Sequence, residues 1–82
     1  MSLYFVTYEL RDERDYPQII EELENLGAKR VLNSQWCLKQ ENTTAKELRD
    51  HLVKFIDNDD GLIVNQSTAW ASIRTKATPN DI

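Results

Sequence analysis

Between Leu3 and Leu10 the chain runs Leu-Tyr-Phe-Val-Thr-Tyr-Glu-Leu, and both registers of the alternation are largely apolar. Tyr4, Val6, Tyr8 and Leu10 fall on one side of an extended strand, and Leu3, Phe5, Thr7 and Glu9 on the other. Aromatic and β-branched residues favour that extended state. Apolar character on both sides predicts a strand in the middle of a sheet with its second face also covered. A charged loop, Arg11 to Asp15, follows. The pattern then changes period: Ile19, Ile20, Leu23 and Leu26 recur at helical spacing, while Glu21, Glu22 and Glu24 fall mainly outside the stripe. This predicts a helix beginning at Asp15 or Tyr16, with Pro17 in the first turn, where a missing N–H costs nothing. Gly27 stands where the helix wants a left-handed residue to end on.

Two short strand-like runs come next, Ala28-Lys29-Arg30-Val31-Leu32 and Gln35-Trp36-Cys37-Leu38-Lys39, around the turn-prone pair Asn33-Ser34. Thr44 with Glu47 three residues on is a capping-box signature. Behind it Ala45, Leu48, Leu52, Phe55 and Ile56 mark a second amphipathic helix. Asp57 to Gly61 reads as a turn, Leu62-Ile63-Val64 opens another strand, and Ala69 to Ile73 is a candidate short fifth strand. Residues 75–82 are polar and contain Pro79, so a disordered tail is expected beyond a single domain at 1–74. Strand, helix, strand, strand, helix, strand is the order of the α+β ferredoxin-like fold. One antiparallel sheet with both helices on one face buries both stripes together.

With 82 residues, one thin core is the most this chain builds. No apolar run nears the roughly 20 residues that span a bilayer. The start, Met1-Ser2-Leu3, has no basic and apolar leader, and a cytoplasmic location is expected. Cys37 is the single cysteine and His51 the single histidine, which excludes a disulfide framework and a His/Cys metal cluster. Cys37 reads as a small core residue, and His51, flanking the apolar stripe, as a partly buried structural one. Asp57 to Gly61 hints at a calcium loop but misplaces its glycine and puts Thr68 where a bidentate Glu is needed. Net charge is −4, the wrong sign for a free-standing nucleic-acid binder. Basic residues nevertheless sit beside the expected strands, at Arg11, Arg14, Lys29, Arg30, Lys39, Arg74 and Lys76. An RNA recognition motif shares the element order. Its third strand, though, needs a glycine-rich basic-aromatic signature that Ser34-Gln35-Trp36-Cys37-Leu38 lacks.

The run Tyr4-Phe5-Val6-Thr7-Tyr8-Glu9-Leu10, the helix ending in Leu26-Gly27, and Lys29-Arg30-Val31-Leu32-Asn33-Ser34-Gln35-Trp36 resemble the small CRISPR adaptation proteins first described as endoribonucleases. The same scaffold occurs in non-CRISPR relatives such as the virulence-associated protein D toxins. The likeness extends from about Leu3 to Ile73. It implies a homodimer. In nuclease members, a carboxylate ending the first strand holds a divalent metal near the two-fold axis; other members bridge protein subunits and DNA. Carried onto this chain, the resemblance implies Glu9 as catalytic residue and Mg²⁺ or Mn²⁺ ligand, with Lys29, Arg30 and Ser34 as nucleic-acid contacts; Arg11 is a further candidate contact, and the residues alone equally allow Glu9 as a solvent-facing carboxylate paired with Arg11. Where the family pattern ends the first strand in Tyr-Asp, this chain has Tyr8-Glu9. The extra methylene displaces the carboxylate by about a bond length, against a metal that demands near-octahedral geometry. The expected function is therefore a dimeric scaffold binding a protein partner or nucleic acid. The alternative is a metal-dependent endonuclease. Trp36 is expected in the core or a dimer contact, while Trp70 is open to either packing or partner binding.

Overall fold

The computed structural model describes residues 1–11 and 18–82. In chain order they form β1 (Ser2–Glu9), α1 (Gln18–Asn25), β2 (Lys29–Leu32), β3 (Gln35–Gln40), α2 (Ala45–Leu52) and β4 (Gly61–Ser67), with 3₁₀ turns at Val53–Phe55 and Pro79–Asp81. The expected first turn of α1, with Asp15, Tyr16 and Pro17, lies outside the described residues.

The four strands pair antiparallel in the order β2-β3-β1-β4, as the ferredoxin-like topology requires. β1 is central, as its two apolar registers demand. Its partners fix which residues share a face: Tyr4 lies opposite Leu38, and Val6 opposite both Trp36 and Val64. That face carries the core, where Tyr4, Val6, Tyr8, Trp36 and Leu38 meet Ile19 and Leu23 of α1 and Leu48 and Leu52 of α2. Both helices thus cover one side of the sheet. Burying each of those helical side chains contributes about 1.5–3 kcal/mol, against roughly 1 kcal/mol for the Thr44 cap. The stripe, more than the cap, holds α2 in place.

The helix ends follow from local chemistry. Glu47 N donates to Thr44 Oγ1 at 3.1 Å, starting α2 where the sequence expects. At the end of α1, Gly27 takes φ +78°, Ala28 N bonds Leu23 O at 2.9 Å and Gly27 N bonds Glu24 O at 3.0 Å. Those two reversed bonds are a Schellman closure, and the positive φ is why glycine stands there.

The opposite face is partly covered, though not by a helix. Phe5 pairs with Cys37 on this side, and Cys37 and Val31 are buried. Their cover is the chain's own C-terminal segment. Ala69 to Ile73 adds no fifth strand; among the described residues the sheet has four. The last eight residues, which composition alone leaves without a core to join, lie against the sheet. Lys76 N donates to Val31 O at 2.8 Å, Thr78 and Asp81 form a capping box, and Pro79 is buried. A β-bulge between Arg30 and Leu32 breaks the β2–β3 register beside that contact.

Candidate functional site

The residues singled out by sequence gather, with one exception, around the C-terminal end of β1. Tyr8 is the node. Its backbone N donates to Ser34 O at 3.0 Å, tying β1 to the β2–β3 turn. Its phenol oxygen accepts from Trp36 Nε1 at 3.1 Å and Arg30 Nη2 at 3.2 Å, and donates to Asn33 O at 3.4 Å. The Arg30 guanidinium also stands 5.0 Å from the Trp36 ring centroid, a cation–π distance. Arg30 is therefore engaged on the helix side of the sheet, and among the described residues its buried Nε has no hydrogen-bond partner. Lys29, the exception, points to the other side, since it pairs with Cys37 while Arg30 pairs with Trp36. The basic doublet does not act as one patch.

Glu9 follows Tyr8 and turns to the face without helices. Its side chain is 74% exposed, and Oε1 accepts from Arg11 Nε at 3.1 Å. Arg11 is itself fixed by the acidic turn. Its backbone N donates to Asp60 Oδ1 at 2.9 Å, and its Nη1 donates to the Asp59 carbonyl oxygen. Asp60 Oδ2 in turn accepts from Asp57 N at 2.9 Å. So Asp60, with Arg11, closes the turn before β4 onto the end of β1. Thr7, Glu9, Arg11, Leu62 and Ile63 line a shallow groove of about 290 Å³ there. An exposed Glu–Arg pair of this kind contributes at most about 1 kcal/mol. Its consequence is positional, because the guanidinium stands against the carboxylate oxygen a metal would use.

A divalent ion fits this arrangement poorly within one chain. Ligand atoms of Asp57, Asp59 and Asp60 lie within 4.8 Å of one another, and hard oxygens suit Mg²⁺ or Mn²⁺. Yet both Asp60 oxygens already accept backbone N–H groups, and Glu9 carries Arg11. The other candidates divide between core and surface. Trp36 is buried in the core, and Trp70 is 38% exposed on the C-terminal segment. His51 Nε2 lies 2.5 Å from Glu22 Oε2, linking α2 to α1, with the ring 5.4 Å from that of Phe55. Burial pushes the Cys37 thiol up, Asp81 adds to this, and Lys39 opposes it.

Sequence reasoning missed Tyr8, Asn33 and Asp60 as organising residues. The signal for Tyr8 was a phenol, like that of Tyr4, on the inward register, since a buried phenol needs partners. For Asp60 it was an aspartate directly before a turn glycine.

Fold and site together define a small ferredoxin-like α+β protein whose polar residues cluster at the end of its central strand. The chain belongs to the family of the CRISPR associated protein Cas2, whose family model matches residues 1–73. No solved structure matches it. Among the described residues, no helix is long and apolar enough to cross a membrane.

Proposed function

We propose that this Cas2-like chain is a homodimeric scaffold that holds a protein partner or nucleic acid without cutting phosphodiesters. The observation that carries this reading is the Glu9–Arg11 pair at 3.1 Å. A strand-end carboxylate that is to hold a metal and steady a developing phosphorane charge must be free to ligate. Here it accepts from a cation that is fixed at its backbone and at its tip by the neighbouring turn. The Glu-for-Asp departure at the same position argues the same way. Arg30, the best basic candidate for phosphate contact, is engaged with Tyr8 and Trp36. Exposed Lys29 and the exposed Ser34 remain as candidate contacts to nucleic acid.

Family membership supports the dimer, as do the two-sided β1 and the exposed Ile63 beside it. The second reading is a Mg²⁺- or Mn²⁺-dependent endonuclease, favoured by the three carboxylates of the adjoining turn. Purified protein with either metal should leave single-stranded RNA and duplex DNA intact. Metal-dependent cleavage that disappears in Glu9→Ala at unchanged dimer content would establish the nuclease instead. Light scattering at micromolar concentration should give a dimer mass. A monomer there would remove the scaffold's symmetry.

A further inference from the structure

The Arg11 side chain is half-exposed, yet it is held at both ends. Its backbone N donates to Asp60 Oδ1 at 2.9 Å. At the tip, Nη1 donates to the Asp59 carbonyl oxygen while Nε donates to Glu9 Oε1 at 3.1 Å. Between these anchors the guanidinium passes over Gly61, the residue paired with Glu9 across β1 and β4. A Cβ built on Gly61 would stand 3.4 Å from Arg11 Nη2 and 3.9 Å from Glu9 Cβ. Among the described residues the glycine with positive φ is Gly27, so backbone conformation does not call for glycine at 61. Room does, because any side chain longer than alanine's would compete for the guanidinium's place.

The two groups that receive the tip of Arg11 are hard oxygens, a carboxylate and a backbone carbonyl, the donor types that Mg²⁺ or Mn²⁺ takes. A guanidinium serves them with directed N–H groups and is weakly hydrated, whereas Mg²⁺ demands near-octahedral geometry and sheds water reluctantly. Arg11 is also tethered two residues from Glu9. It therefore meets the carboxylate at an effective concentration of roughly millimolar or above, and a free ion must displace it. An ion brought to Glu9 while Arg11 stays would lie about 4 Å from a like charge. In a water-like dielectric that disfavours the ion about 30-fold, and about ten-fold once physiological salt screens the pair.

We infer that Arg11 is a resident cation that takes the place of a divalent metal at Glu9, seated there by Gly61 and by the turn that ends in Asp60. The inference rests on the non-cutting reading above and gives its cause: the carboxylate excludes a metal because a side chain of the same chain already holds it. Arg11→Ala isolates that side chain. The bond from the backbone N of residue 11 to Asp60 does not involve the guanidinium, so the turn keeps its closure while the tip is lost.

The test titrates the full chain with Mn²⁺, reading affinity from water-proton relaxation and position from paramagnetic broadening of amide signals. Far-UV circular dichroism checks the fold, and Arg11→Gln, which keeps most of the stem, replaces Arg11→Ala if that variant unfolds. Expected in Arg11→Ala is Mn²⁺ binding about ten- to 30-fold tighter than in the wild type, with broadening centred on Glu9 and Gly61. Adding Glu9→Gln to Arg11→Ala should return the affinity to the wild-type level. A gain that survives Glu9→Gln refutes the inference, since the ion then sits on the acidic turn. Equal affinities in wild type and Arg11→Ala, with RNA and duplex DNA left intact by the wild type, overturn the inference alone. Mn²⁺-dependent cleavage by the wild type overturns the non-cutting reading and the inference with it.

Discussion

Replacing Tyr8 by Phe removes one oxygen and leaves the ring, so it isolates the polar node at the end of β1. That oxygen serves Trp36 Nε1 at 3.1 Å, Arg30 Nη2 at 3.2 Å and the Asn33 carbonyl at 3.4 Å. Losing it strands the Trp36 N–H in a nearly dry site, which costs about 1–3 kcal/mol. Arg30 is only half-buried and regains water, and the 3.4 Å bond is weak, so these add about 1 kcal/mol at most. The expected loss is about 2–3 kcal/mol, out of roughly 4–12 kcal/mol for a domain of this length. The same loss lowers the melting temperature by roughly 8–24 °C. Urea titration followed by far-UV circular dichroism should show an earlier midpoint at unchanged slope. In a double-mutant cycle, Trp36→Phe should cost less when combined with Tyr8→Phe than in the wild type, because its partner is already gone. A Tyr8→Phe loss below about 0.5 kcal/mol with no coupling to Trp36 would refute the node as a stabilising element.

Other substitutions probe separate parts of the argument. At Gly27, a Cβ would meet nothing within 4 Å, so Gly27→Ala should cost about 1–2 kcal/mol through backbone conformation alone, measured by thermal melting. Thr44→Ala removes the acceptor for Glu47 N and should cost about 1 kcal/mol in the same melts. Hydrogen bonds from Lys46, and then from Arg49, hold the Asp50 carboxyl below its ordinary range. Its stabilisation is present above the unfolded carboxylate value and lost as pH falls through the lower folded one. Asp50→Asn should therefore flatten the stability profile only below about pH 4. The wild-type advantage over Asp50→Asn should be full at neutral pH and fade in acid; an advantage undiminished well below pH 4 would contradict that cause.

The strand–helix order, the central place of β1, the α1 stripe closed by Gly27 and the Thr44 start of α2 were all legible along the chain. Each depends on neighbours within a turn or a strand, where spacing and backbone preference act without the rest of the fold. Glu9 and its pairing with Arg11 could be read from the sequence, whereas the fate of Arg30 could not. Register places Arg30 opposite Trp36 and next to the Tyr8 phenol, and the β4 turn reaches back from Asp59 and Asp60 to fix Arg11 beside Glu9. The partners of Arg30, and the groups that fix Arg11, come from segments distant in sequence, so their freedom to bind anything else is a tertiary property.

The C-terminal segment makes the contrast sharpest. Its composition is polar, and nothing within a few residues of Pro79 would bury it; the burial comes from β2 and β3, some forty residues earlier in the chain (~40). Local pattern determined which elements form and which of their faces are apolar. Only the folded sheet decided what covers its second face, because that depends on which surface remains once both helices have taken the first.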